Sequence, residues 1–267
     1  MPRAVRAVSL FLLTLTAGTG HATDWRYLIG IHDFVVDDVD SHTYGIAAGL
    51  SGDKRTGTGR HFFGDLDVFW DHDQDHLDPD HIPIWWQLHM GSDGELWKFS
   101  PGFHVDWTAD FNTRTNTVSS VERQIEVLPA LAARFDSDAL HASIKAGFGY
   151  WFLEIDDDAP KERGYVRDDL RNTTFAESLA ADGSFKVGTS LKLVGRAKAW
   201  WDNDEWLETQ YVGEARLAVD RGMGRSEIVL DAEVHEYNLE IYNKPGLPPI
   251  VPWDDDVLIR VSFVTAW

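Results

Sequence analysis

The sequence predicts an all-β protein, a transmembrane antiparallel up-and-down β-barrel of about twelve strands, and three observations predict it. Residues 257–267 place Val257, Ile259, Val261, Phe263 and Trp267 on one face and Arg260 and Ser262 on the other. Chain ends ordinarily fray, so a strand carried to a final aromatic needs an environment that rewards it, and a bilayer opposite a wet lumen is one. No stretch after Ala17 offers the roughly 20 apolar residues of a spanning helix. A chain of this kind crosses a membrane only as a closed barrel, because an open sheet leaves backbone groups unsatisfied in hydrocarbon. The third observation is a two-residue alternation that recurs along the chain.

Taken in order, the first element is a leader. Arg3 and Arg6 precede an apolar run, and Gly20-His21-Ala22 places small residues before a cut ahead of Thr23. This is the pattern of a secretory signal peptide, so residues 1–22 are expected to be removed and 23–267 to form a single barrel domain. The formal charge of −20 becomes −22 once Arg3 and Arg6 leave, which argues against nucleic acid as a partner. No cysteine is present, which excludes disulfides and thiolate metal sites.

Twelve strands are expected, over residues 25–31, 44–50, 62–70, 84–90, 97–112, 121–135, 140–155, 175–187, 191–201, 207–219, 228–239 and 257–267. An error in the count would come in pairs, giving ten or fourteen. The clearest alternation runs through 97–112, where Trp97, Phe99, Pro101, Phe103, Val105 and Trp107 interleave with Lys98, Ser100, His104 and Asp106. At sixteen residues it outruns a tilted membrane strand of about 9 to 11, and Pro101 within it demands a bulge or a strand end. Asp93-Gly94, just before it, reads as a hairpin turn. Short periplasmic turns and longer outer loops are expected to alternate, with the amino terminus in the periplasm.

Of twelve tryptophans, many fall at predicted strand ends. Trp25, Trp70, Trp97, Trp201 and Trp267, with Phe263, read as interfacial girdles, as does Trp253; alternation turns Trp85 and Trp200 inward. The inferred lumen is lined by Asp65, Asp67, Lys98, His104, Asp106, Glu122, Glu126, Arg196, Lys198, Glu214, Arg216 and Arg260. A selective pore shows a ring biased to one sign, whereas mixed charge makes a salt-bridged, narrow or closed bore. The closed interior is therefore the first expectation. A diffusion channel drawing on Arg196 and Lys198 is the second.

The segment from Asp71 to His81 holds five aspartates and three histidines. Asp71, Asp73, Asp75 and His76 could ligate a cation, but the spacing matches neither an EF-hand loop nor a His-Glu-x-x-His motif. A solvated acidic outer loop is the simpler reading, with no cofactor expected. Asp/His groups at the mouth, including His72, or His104 with Asp106 in the lumen, leave a surface hydrolase as a third reading.

The C-terminal strand and the leader resemble those of Gram-negative outer-membrane β-barrels, and a barrel of about twelve strands without a passenger is similar to solitary autotransporter-like barrels. The resemblance implies the outer membrane as location, lipid and lipopolysaccharide as surroundings, and recognition of the last strand by the barrel-assembly machinery. Because Trp25 begins a strand directly after the leader, no passenger is expected. A role in permeability or surface interaction follows. The oligomeric state is left open.

Overall fold

The computed structural model describes residues 23–266 apart from 58, 73–82, 120, 157 and 221–224. Twelve antiparallel strands close into one barrel, each paired with its neighbours in sequence and β1 with β12. They are β1 (Asp24–Val36), β2 (Ser41–Arg55), β3 (His61–Asp71), β4 (Ile84–Ser100), β5 (Phe103–Thr115), β6 (Val121–Asp136), β7 (Leu140–Ile155), β8 (Arg171–Val187), β9 (Leu191–Asp202), β10 (Glu205–Asp220), β11 (Arg225–Tyr237) and β12 (Asp255–Ala266). One short helix, α1 (Asp158–Glu162), lies between β7 and β8. Closure leaves no free sheet edge, which is what a barrel in hydrocarbon requires.

The expected hairpin at Asp93-Gly94 is not there. β4 continues through both residues to Ser100, and the turn is Pro101-Gly102. Proline has no N–H to give a ladder and its φ is fixed for a turn, so the residue that had to be a defect within a strand is the hairpin itself. Register slips between Glu95 and Trp97 and between Lys98 and Ser100 lead into it. Several loops are also shorter than expected: β1 and β2 are joined by 37–40 and β2 and β3 by 56–60, because the alternation runs on through polar residues. The connections at the end holding 37–40, 72–83, 116–120, 156–170, 203–204 and 238–254 include the longest ones, and those at the other end are all short.

The barrel is apolar on its outer wall. Ile29, Ile31, Phe99, Ile144 and Phe175 each expose about two thirds of their surface, between 61% and 67%. The inner face holds buried aromatics and charges. Phe34, Phe69, Trp85, Trp151 and Trp200 are fully enclosed, together with Asp106, Arg114, Glu126, Glu208, Asp231, His235 and Asp256. This inverts the arrangement of a water-soluble domain, in which charge faces solvent.

Trp85 and Trp200 turn inward as alternation requires, and Trp25, Trp70, Trp97, Trp201 and Phe263 stand on the outer face. Trp253 does not: it is buried in the 238–254 connection, where its indole N–H donates to the Ser119 carbonyl at 2.9 Å. Trp267 lies outside the described residues.

Candidate functional site

The inner face is bridged by side chains from strands that are not neighbours. Arg114 on β5 donates through Nη2 to Asp256 of β12 and through Nη1 to the Tyr237 hydroxyl of β11, both at 2.9 Å. Its guanidinium lies over the rings of Phe34 and Trp85, at 5.4 and 5.8 Å from their centroids. Asp256 also accepts from Ser119 at 2.7 Å. Arginine suits this position because its planar fork pairs with a carboxylate and stacks on aromatic faces at once.

A second bridge is centred on Glu208 of β10. Gln124 of β6 donates to both its oxygens at 2.7 Å, the Trp151 indole to Oε2 at 2.9 Å, and His235 approaches Oε1 at 3.1 Å. The other ring nitrogen of His235 meets Glu233 at 2.6 Å. Lys198 of β9 is bonded to Glu126 of β6. Deeper in the bore, Arg260 joins Asp67 of β3 at 2.6 Å and Asp231 of β11 at 2.8 Å, with Phe69 under its guanidinium. Buried charges are tolerated only when paired and hydrogen-bonded, and these are.

Nearer the end with short turns, acid and base alternate along the wall. Asp53, His61, Asp93, Arg134 and Asp106 follow one another at 2.8 to 3.2 Å. His104 bridges Asp106 and Asp136, and His141 bridges Asp136 and Asp182. Lys145 reaches Asp182 and Asp110, and His89 reaches Asp110 and Asp65. The expected His104–Asp106 dyad is thus one link in a continuous network. On the adjoining strands Arg196, the direct cross-strand partner of Asp182, shares Glu214 with Arg216, so the Arg196 on which a channel would draw is already paired. Lys98 faces inward opposite His104.

Glu122 is not in this row. Val121 pairs with Ile155 and Arg123 with Glu154, so Glu122 is the extra residue of a bulge and leaves the alternation. It meets Arg123 and Arg167 instead. Asp71 is also displaced from its expected place in an acidic loop. It ends β3, faces inward, and accepts from His32 at 2.8 Å and from the Trp85 indole at 3.2 Å. The His32 ring has room because residue 45 is glycine; a Cβ there would strike His32 and the Trp70 carbonyl. Asp73, Asp75 and His76 lie outside the described residues. Asp38, Asp254 and Asp255 bring carboxylate oxygens within 4.8 Å of one another beside the end of β12.

The end with long loops is capped. Tyr242, Ile250, Val251 and Trp253 of the 238–254 connection and Tyr165 of the 156–170 connection are buried, and they join one apolar cluster with Phe34, Trp85, Trp151, Trp200 and Leu258. The Tyr165 hydroxyl donates to the Pro248 carbonyl at 2.7 Å and the Arg163 guanidinium to the Pro249 carbonyl at 2.8 Å. Lys244 pairs with Asp169 at 2.5 Å, and with the Val166 N–H it holds the Asp169 carboxyl below its ordinary pKa. Burial raises the Tyr242 phenol, which stays neutral.

Several members of the bridges escaped the sequence reading, namely Arg114, Gln124, Glu208, Asp231 and Asp256. Arg114 carried a usable signal: it continues the inward row of Asp110 and Asn112 two residues past the expected strand end.

No protein-family model matches the sequence, and no curated protein matches it. Among solved structures, the chain is similar to the KdgM porin (TM-score 0.45, 10% identity, 90% of this chain and 99% of that one). It is likewise similar to the NanC porin (0.46, 9%, 89% and 98%). A third is the outer-membrane phospholipase (OMPLA) dimer of Salmonella typhi with bound calcium (0.46, 12%, 96% and 96%). At these identities the likeness is one of fold, and no residue role is carried across.

Proposed function

We propose that the chain is an integral outer-membrane barrel with a closed polar interior, which presents its capped end at the cell surface and conducts no ions. The outer wall supports the membrane placement: a closed sheet whose exposed face carries Ile29, Ile31, Ile144 and Phe175 has hydrocarbon as its natural solvent. Trp25, Trp70, Trp97 and Trp201 stand on that face as girdle residues. The long loops, and with them the apolar cap, then lie on the outside.

The observation that carries closure is the Arg114–Asp256 bond, which joins strands that do not touch in the sheet and therefore crosses the bore. The Gln124–Glu208 and Lys198–Glu126 contacts cross it again. Ions permeate through rings of like charge that leave a wet path; here opposite charges are matched and buried under an apolar cap. The channel reading loses its motive with Arg196 held by Glu214 and Lys198 by Glu126.

Planar-bilayer recording of the detergent-refolded chain, verified as folded by its heat-modifiable migration, tests this reading. Silence at low and high salt is the expected result. Steady, charge-selective openings would overturn it.

A further inference from the structure

Three arginines gather on the outer face of the sheet at its capped end. Arg123 of β6, Glu154 of β7 and Arg171 of β8 are direct cross-strand partners, so they form one row across three strands. Trp151 and Leu153 point inward on β7, and Phe152 and Glu154 point outward. Glu154 is 1% exposed in its side chain and receives Arg171 at 2.6 Å through Nε and Arg123 at 3.4 Å. Arg167, from the 156–170 connection, comes to 3.7 Å of Glu154 and 3.4 Å of Glu122. Asp168 lies close enough to Arg171 to temper its charge.

Repulsion between guanidinium groups opposes such a gathering, and the buried Glu154 carboxylate is what holds them together. It does not satisfy them. Each guanidinium has five N–H donors and each carboxylate about four acceptor sites, so Glu154 and Glu122 leave donors over. The arginine side chains keep 37%, 56% and 40% of their surface open.

The height of the row decides what it meets. Outward residues below it on β7 are Phe152, Tyr150 and Phe148, with Phe175 stacked on Phe148 from β8. At about 3.3 Å per residue, the row stands roughly 7 Å above Phe152 along the strand, at the edge of the apolar wall. Arginine there keeps its stem on apolar surface and its head at the level of polar headgroups.

We infer that Arg123, Arg167 and Arg171 form a binding site for the phosphate of an outer-leaflet glycolipid headgroup, with the acyl chains lying on Phe152, Tyr150 and Phe148. Planar forks fixed by a common carboxylate match phosphate oxygens in pairs, which freely rotating lysines do not. The inference rests on the outer-membrane reading, and its test separates the two.

The refolded barrel is titrated with lipid A, with enzymatically dephosphorylated lipid A of the same acyl composition, and with inorganic phosphate, and bound lipid is counted by native mass spectrometry. Lipid A is expected to bind at least about tenfold more tightly than its dephosphorylated form, and Arg123→Gln/Arg167→Gln/Arg171→Gln to abolish that difference. Arg167→Gln alone, in a connection rather than a strand, leaves the barrel intact and should remove part of it. Equal binding by the triple variant, or equal binding of both lipids by the parent chain, would overturn the inference. Binding of inorganic phosphate as tight as that of lipid A would overturn the lipid as its source. Failure of the chain to fractionate with outer membranes would sink the outer-membrane reading instead, whatever the titration shows.

Discussion

Arg114 and Asp256 lie 142 positions apart in the sequence and 2.9 Å apart in the structure, and both are buried. Removing one partner of such a pair strands the other charge in a dry site. Arg114→Met is therefore expected to destabilise the barrel by about 3–5 kcal/mol, and Arg114→Met/Asp256→Leu to recover most of that loss. Urea midpoints followed by heat-modifiable migration measure both. A double variant no better than the single one would show that the pair is not coupled.

On the proposed reading, the apolar cap and the charged bridges beneath it are separate barriers across the bore. Trp253→Ala empties a buried site in the cap, which is expected to loosen the 238–254 connection by about 3 kcal/mol or more. Proteolysis within that connection should accelerate while bilayer recordings remain silent. Conductance in Trp253→Ala alone would place the seal in the cap.

Gly45 stands where the His32 ring and the Trp70 carbonyl leave no room for a side chain. Gly45→Val is expected to cut the yield of folded, heat-modifiable barrel sharply, and His32→Ala in the same chain to restore only part of it, since the carbonyl remains. Folding of Gly45→Val at the parent level would contradict the packing described.

The Asp169–Lys244 pair gives the cap an acid-sensitive attachment. The Asp169 carboxyl is held below its ordinary value, so its contribution is present at neutral pH and is lost as pH falls through the folded pKa, below about 4. Protease cleavage within 238–254 should rise on acidification below that point, using an acid-active protease. Lys244→Met should raise cleavage at neutral pH and remove this acid step. A step of unchanged size in the variant would assign it to another carboxylate.

The architecture was legible wherever an apolar outer face alternated with polar inner residues without interruption. β7 was read to its terminal residues, Leu140–Ile155, because outward Leu140, Ile144, Phe148 and Phe152 never break step. The β4–β5 hairpin was missed for a geometric reason. The two-residue turn at Pro101-Gly102 pairs Ser100 with Phe103 and by itself inverts parity, but the register slip between Lys98 and Ser100 shifts it back, so Lys98 meets His104, Trp97 meets Val105, and the alternation reads straight through the reversal. Glu122 was misplaced because a single extra residue shifts parity there with no turn beside it to compensate.

Tyr242, Ile250, Val251 and Trp253 had no period to betray them, since an irregular connection is buried by what it folds onto. Of the cross-bore residues, Asp67, Glu126, Lys198 and Arg260 were legible as inward residues but not as partners, and Arg114 and Asp256 lay beyond the expected strand bounds. Which inward charge meets which depends on barrel shear and closure, and a one-strand pattern carries no information about that.

Apart from the β1–β12 pairing that closes it, the ladders of this barrel join segments adjacent in sequence, and a growing sheet acquires them one hairpin at a time. The Arg114–Asp256, Gln124–Glu208 and Arg260–Asp67 contacts are different, because none exists until curvature brings distant strands face to face. An unfinished sheet keeps these charges hydrated and gains nothing from them. The interior thus works as an inspection that only a completed cylinder passes: the chain commits to its final form in the act of meeting itself, and a partial assembly stays open to correction.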